Sequence, residues 1–233
     1  MTDSDVNIDR AIEADIIRTL KEIGFCSSLE DWRDARPVFD PENSTLTMLG
    51  HPVMQAWERP YMKRLAEIAS SRSRGERLLE VGFGLGISSG YIQENPPGEH
   101  WIIEMNKEIA ELARRFASGH TSKVRILEGF WQDIAPALES NSFMGILFDT
   151  YPLTDGEVDV IFHPFLKHAH RLLKKGGILT YFSDEATWFS DSHLASLREA
   201  GFSNVDGELC EINPPADCQY WRQPTMLAPI VVK

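Results

Sequence analysis

Leu78-Leu79-Glu80-Val81 runs directly into Gly82-Phe83-Gly84-Leu85-Gly86, an apolar strand followed by glycine at every second position. Glycine tolerates positive φ and leaves room for a ligand against the backbone, so such a loop can wrap a bulky cofactor. The next apolar run, His100-Trp101-Ile102-Ile103-Glu104, closes on an acid. A carboxylate about twenty residues after a glycine loop suits the two hydroxyls of a ribose. The spacing is G-x-G-x-G, whereas dinucleotide sites use G-x-G-x-x-G to cradle a pyrophosphate. That difference favours S-adenosylmethionine over a nicotinamide cofactor.

Strand and helix patterns alternate through the rest of the chain. Ser88–Gln93, Lys107–Ala117 and Phe162–Leu173 read as helices, the last stopped by Gly176-Gly177. Val124–Leu127, Gly145–Asp149 and Ile178–Phe182 read as strands, with Val205–Cys210 and Met226–Val232 as a closing hairpin. The pattern predicts an α/β, Rossmann-like, doubly wound and mostly parallel sheet with a C-terminal antiparallel hairpin. Met54 to Ile68 reads as a helix. Residues 9–24 have a helical apolar face of Ile12, Ile16, Ile17, Leu20 and Ile23, and residues 25–50 read as an irregular lid or packed arm carrying Trp32. The expected division is an N-terminal helix and lid over residues 1–50 and a catalytic domain over 51–233.

Composition narrows the partners. A formal charge of −12 over 233 residues disfavours nucleic acid and tolerates a cationic small molecule. Cys26, Cys210 and Cys218 have no metal spacing and read as reduced thiols of a cytoplasmic protein. The polar N-terminus is no signal peptide, and no apolar run reaches membrane-spanning length. The expectation is a monomer or homodimer without a metal, nucleic-acid or membrane partner.

Ligands of open α/β sheets sit beyond the carboxyl ends of the strands. Four such positions carry chemistry here: the glycine loop, Glu104, Gly129-Phe130-Trp131-Gln132-Asp133, and Asp149-Thr150-Tyr151-Pro152. Phe130 or Trp131 suits an adenine wall, or ordinary core packing in the case of Trp131. Gln132 or Asp133 suits the adenine amine. Asp149 ends a strand where an acceptor nitrogen would face the methyl group, or else caps a turn. Glu58, in Trp57-Glu58-Arg59-Pro60-Tyr61-Met62, reads by itself as a solvated helix charge.

These blocks, with Leu49-Gly50-His51-Pro52-Val53-Met54 and Pro214-Pro215-Ala216-Asp217-Cys218, closely resemble the guanidinoacetate N-methyltransferase family, which is related to arginine N-methyltransferases. The resemblance runs from about residue 30 to the C-terminus. It implies a guanidino N-methyltransferase using S-adenosylmethionine, with S-adenosylhomocysteine as product. Glu58 and Asp149 would hold the acceptor guanidinium beside Met54, and Trp32 would cover the site. Independently, one carboxylate can take the proton as the nitrogen loses its charge, a role assigned to Asp149. Met62, Phe83, Gly84, Leu85, Gly86, Ile87, Ser88, Glu104, Met105, Asn106, Trp131, Gln132 and Asp149 would surround the cofactor.

The chain departs from the family after the strand Ile178–Phe182. There it reads Ser183-Asp184-Glu185-Ala186-Thr187-Trp188, with an added residue and two acids where the family's loop catches the substrate carboxylate. Asp184 and Glu185 either face water or repel a carboxylate and welcome an ammonium. The second reading favours free L-arginine over guanidinoacetate. A protein-arginine acceptor is a further reading, and a cofactor-binding regulator without catalysis another. An O-methyltransferase is disfavoured because no metal set or base histidine stands out among His51, His163, His168 and His170.

Overall fold

The computed structural model describes residues 29–41, 45–151, 163–218 and 220–233. The sequence-predicted helix over 9–24 and Cys26 lie outside them.

The sheet follows from the apolar runs. Strands β4 (Arg77–Val81), β5 (Glu99–Glu104), β6 (Lys123–Glu128), β7 (Phe143–Phe148) and β8 (Leu173–Tyr181) are parallel. With β9 (Asn204–Glu211) and β10 (Thr225–Val232) they form one seven-stranded sheet in the order β6-β5-β4-β7-β8-β10-β9. The last two are the expected antiparallel hairpin, and β10 runs antiparallel to β8. Gly176-Gly177 falls inside β8: the helix ends earlier and the strand takes up the glycines.

Successive side chains of a strand point to opposite faces, so an apolar strand feeds two cores at once. Leu78, Ile102 and Leu147 enter one core with Tyr61, Met62 and Leu65 of α2 (Arg59–Ser70), Ile87 and Ile92 of α3 (Ile87–Glu94), and Ile109 and Ala113 of α4 (Lys107–Ser118). Their neighbours Leu79, Ile103, Ile146 and Phe148 enter the other. It is completed by Ala135 of α5 (Trp131–Ala137), Phe165 and Ala169 of α6 (His163–Leu172), and Leu197 of α7 (Asp191–Glu199). Burial on both faces explains why these strands lack the alternation of a half-exposed sheet.

The N-terminal portion is more regular than the sequence suggests. A short helix, α1 (Leu29–Asp34), precedes a small antiparallel sheet of β1 (Val38–Asp40), β2 (Thr45–Met48) and β3 (His51–Gln55). The expected helix from Met54 is thus corrected: residues 51–55 are extended, Ala56–Glu58 form a 3-10 turn, and α2 starts at Arg59 with Pro60 in its first turn. Pairing with β2 overrides the helical spacing there. The pairing also joins the two sides of the expected boundary at residue 50.

Candidate active site

Strand order reverses between β4 and β7, and a crevice opens at such a switch point beyond the carboxyl ends of the strands. Here the first glycine of the loop meets the strand-ending acid. A Cβ built on Gly82, at φ +92°, would fall 1.9 Å from the backbone oxygen of Asp149. Only glycine permits that approach. The Asp149 amide in turn donates to the Val81 carbonyl at 2.9 Å.

The crevice holds a concave, mostly apolar pocket of the kind that small molecules occupy. Of the residues singled out from sequence, Trp32, Met54, Gly84, Glu104, Met105, Trp131, Gln132 and Asp149 line it, as do Gly82, Phe130 and Tyr151. Glu104 is buried, which pushes its pKa up, against the opposing effect of backbone N–H groups. Its Oε2 accepts from the Phe83 amide at 2.9 Å and its Oε1 from the Asn106 amide at 2.8 Å. Trp131 combines core packing with a place on the pocket wall. It packs edge-on against Phe148 and Phe165 and also walls the pocket.

Other members of the expected cofactor set lie outside the pocket lining. Met62 is fully buried in the core. Leu85 N–H donates to Met54 Sδ at 3.4 Å, and Gly86 sits at φ +69° as the N-cap of α3. Ile87 is a core residue. Phe83 packs on Phe116. Ser88 and Ser89 donate to the buried Glu80, which His100 Nε2 approaches to 2.8 Å. Asn106 caps α4 with its Oδ1, while its Nδ2 donates to the Trp32 and Ala35 carbonyls at 2.9 and 2.8 Å. This one side chain ties α1 to the sheet.

Trp32 is fully buried within a ring cluster, its centroid 5.7 Å from that of His51 and 5.4 Å from that of Tyr151. Its indole Nε1 has no hydrogen-bond partner among the described residues. A buried donor on a pocket wall with no protein partner is available to an acceptor on a bound ligand. With the glycine loop and Glu104, it fits these residues to a nucleoside cofactor with a polar tail.

Three acids gather at the other side of the switch point. Burial, with added repulsion from Glu80, raises Asp149 to about 7. Burial, then Glu185 and Asp149, raise Asp184 to about 7. Burial raises Glu58 to about 8, Asp149 repelling it further while Tyr220 and the Gln55 amide oppose the rise. The side chains of Asp149 and Asp184 have no hydrogen-bond or ion-pair partner among the described residues. Glu58, Asp184 and Glu185 lie outside the pocket lining. Glu58 is buried rather than solvated. Glu185 Oε1 accepts from the Ser190 amide at 2.8 Å and pairs with His193 Nδ1 at 2.9 Å. His193 Nε2 lies 2.5 Å from the Tyr181 hydroxyl. Glu185 therefore braces the loop that holds Asp184, which adopts φ 55°. Sequence reasoning gave no role to Tyr151 or Tyr220. Tyr151 stands inside a quoted block, and Tyr220 lies just past one.

This crevice follows the plan of Rossmann-like class I S-adenosylmethionine-dependent methyltransferases. In fold the chain resembles spermidine synthase from Thermotoga maritima, with a TM-score of 0.63 at 14% identity over 85% of this chain and 68% of that one. A spermidine synthase in complex with the transition-state analogue AdoDATO gives a TM-score of 0.64 at the same identity over 85% and 69%. Sequence comparison is more specific. The guanidinoacetate N-methyltransferase family profile matches residues 22–233, and the chain belongs to that family. Among curated relatives, protein arginine N-methyltransferase 2 of Yarrowia lipolytica is 31% identical over 169 residues, covering 70% of this chain and 35% of that protein. Its namesake in Aspergillus oryzae is 37% identical over 133 residues, covering 56% and 31%. The chain thus spans about a third of the length of these relatives. Among the described residues no helix is long and apolar enough to cross a membrane.

Proposed function

We propose that the protein transfers a methyl group from S-adenosylmethionine to a guanidino nitrogen of a small cationic acceptor, with free L-arginine as the favoured substrate. The observation that carries the reading is the trio Glu58, Asp149 and Asp184: three acids pushed to about 7–8, two of them without a protein partner among the described residues. Buried like charges with no cation beside them are stabilised by a bound cation. The family supports a guanidinium as that cation.

When bound, the cofactor supplies an electrophilic methyl on a sulfonium. Glu104 would hold the ribose, Phe130 and Trp131 the adenine, and Trp32 would close the pocket and exclude water. A guanidinium stays protonated far above neutral pH, so presenting its neutral form at pH 7 costs about 9 kcal/mol. Glu58 and Asp149 orient the planar group so that one nitrogen faces the methyl. As the new N–C bond forms and the S–C bond breaks, Asp149 accepts the proton from that nitrogen. The bound cation favours its ionised form, which leaves it free to take that proton. Asp184 would receive the α-ammonium of arginine. Guanidinoacetate has no such group and would bring a carboxylate into repulsion.

A polypeptide arginine is the second reading, supported by the names of the relatives. The buried Trp32 against the pocket favours a small acceptor, and no nucleic-acid or membrane partner is part of the proposal.

The test is a competition. Enzyme and cofactor receive equimolar guanidinoacetate, L-arginine and agmatine, with products read by mass spectrometry. Methylarginine should dominate, and Asp184→Asn should lower kcat/KM for arginine by about tenfold or more, as expected for loss of a charge-assisted contact. Creatine as the main product would overturn the arginine assignment. Methylation of an added polypeptide only would shift it to the second reading.

A further inference from the structure

Glu58 does not offer both oxygens equally. Its Oε1 accepts from the Gln55 backbone amide at 2.9 Å and from the hydroxyl of Tyr220, 162 positions away in sequence. No partner of Oε2 is found among the described residues. Tyr220 is itself held: its ring packs against Trp57 with centroids 5.7 Å apart. The same C-terminal stretch sets Cys218 Sγ 3.8 Å from Gln55 Oε1, which also accepts from Trp57 Nε1 at 2.8 Å. Cys218 and Tyr220 are thus tied to the 3-10 turn bearing Glu58 and to its flanking Gln55.

Two donors on one oxygen remove the rotational freedom of a carboxylate, so one face of it is committed and the other is free for a ligand. We propose that Tyr220 is a positioning residue for the methyl acceptor: with the Gln55 amide it holds Oε1 of Glu58, leaving Oε2 to grip a single guanidino nitrogen. The inference rests on the assignment of Glu58 to the acceptor made above, and it adds what selects the nitrogen and what favours the charged form of Glu58 against the effect of burial.

The groups facing Glu58 make the charge argument. Asp149, from the end of β7, repels it, and the Cys218 thiol is raised chiefly by burial and stays neutral. Tyr220 is the side chain among them that favours the charged form. Its own phenol is driven far above the ordinary value by burial and by Glu58, so it remains a donor at every working pH.

The experiment uses the full chain with Tyr220→Phe, which keeps the ring against Trp57 and deletes only the hydroxyl. S-adenosylhomocysteine Kd is the control for folding and should stay within about twofold of wild type. The acid limb of the kcat/KM profile should move up by about one pH unit, and kcat/KM at pH 7 should fall about tenfold. The product should change from one positional isomer to a mixture. A profile superimposed on wild type with a single isomer, whether or not the rate falls uniformly, would overturn the proposal. If the wild type methylates no guanidine, the functional reading fails. The Tyr220 assignment is then decided separately by infrared titration of the Glu58 carboxylate, taken as the difference from Glu58→Gln. A rise in its pKa in Tyr220→Phe supports the assignment, and an unchanged value rejects it.

Discussion

Asp149→Asn is expected to lower kcat by between about a hundredfold and ten-thousandfold, the range for loss of a positioned general base. Asparagine keeps the size and one acceptor oxygen, so the guanidinium can still be approached, but the proton of the attacking nitrogen has nowhere to go. The same change should make the ligand-free protein more stable. Asp149 has its pKa raised from 3.8 to about 7 on folding. The folded state therefore holds a proton that the unfolded state has released, and stability falls as pH rises from about 4 through 7. Asparagine carries no such proton. Thermal melts of the ligand-free pair at pH 8 should give the variant the higher Tm, while the assay gives it almost no turnover. A variant that is both inactive and less stable would point to a structural role for Asp149.

Gly82→Ala should be the most damaging substitution of small size. The new methyl would lie 1.9 Å from the Asp149 carbonyl oxygen, and the backbone at φ +92° is already hostile to any side chain. Neither neighbour can yield without pulling β4 and β7 apart at the switch point. The expected loss is about 3 kcal/mol or more, with cofactor binding abolished in whatever remains folded. Gly75→Ala is the matching control. It has φ +76° but open space around the added methyl. Its cost is backbone strain only, about 1 kcal/mol, with binding retained. Equal melting temperatures for the two variants would contradict the close approach.

The central sheet was legible because β4, β5 and β7 are apolar on both faces, a pattern that does not depend on distant partners. Glu104 was legible for a related reason: an acid directly ending such a strand stands at the ligand crevice by topology. The N-terminal sheet was not legible. β1 is three residues long with Val38 and Phe39 exposed, so it shows no alternation, and β3 exists only because β2 pairs with it. Asp184 and Glu185 look equivalent as adjacent acids. Only the fold separates them, turning Glu185 onto His193 and leaving Asp184 near Asp149. Tyr220 and Glu58 meet across most of the chain, a distance over which local pattern carries no information.

The most direct test of the acid trio is proton linkage. The protein saturated with S-adenosylhomocysteine is titrated calorimetrically with L-arginine at pH 7, in buffers of different ionisation enthalpy. Glu58, Asp149 and Asp184, at about 8, 7 and 7, share roughly two protons at that pH before a cation arrives. A guanidinium and an ammonium bound among them should drive out roughly one to two protons per acceptor, with affinity rising from pH 6 to pH 8. Binding without proton release, or affinity that falls as pH rises, would contradict a carboxylate cage for the acceptor cation.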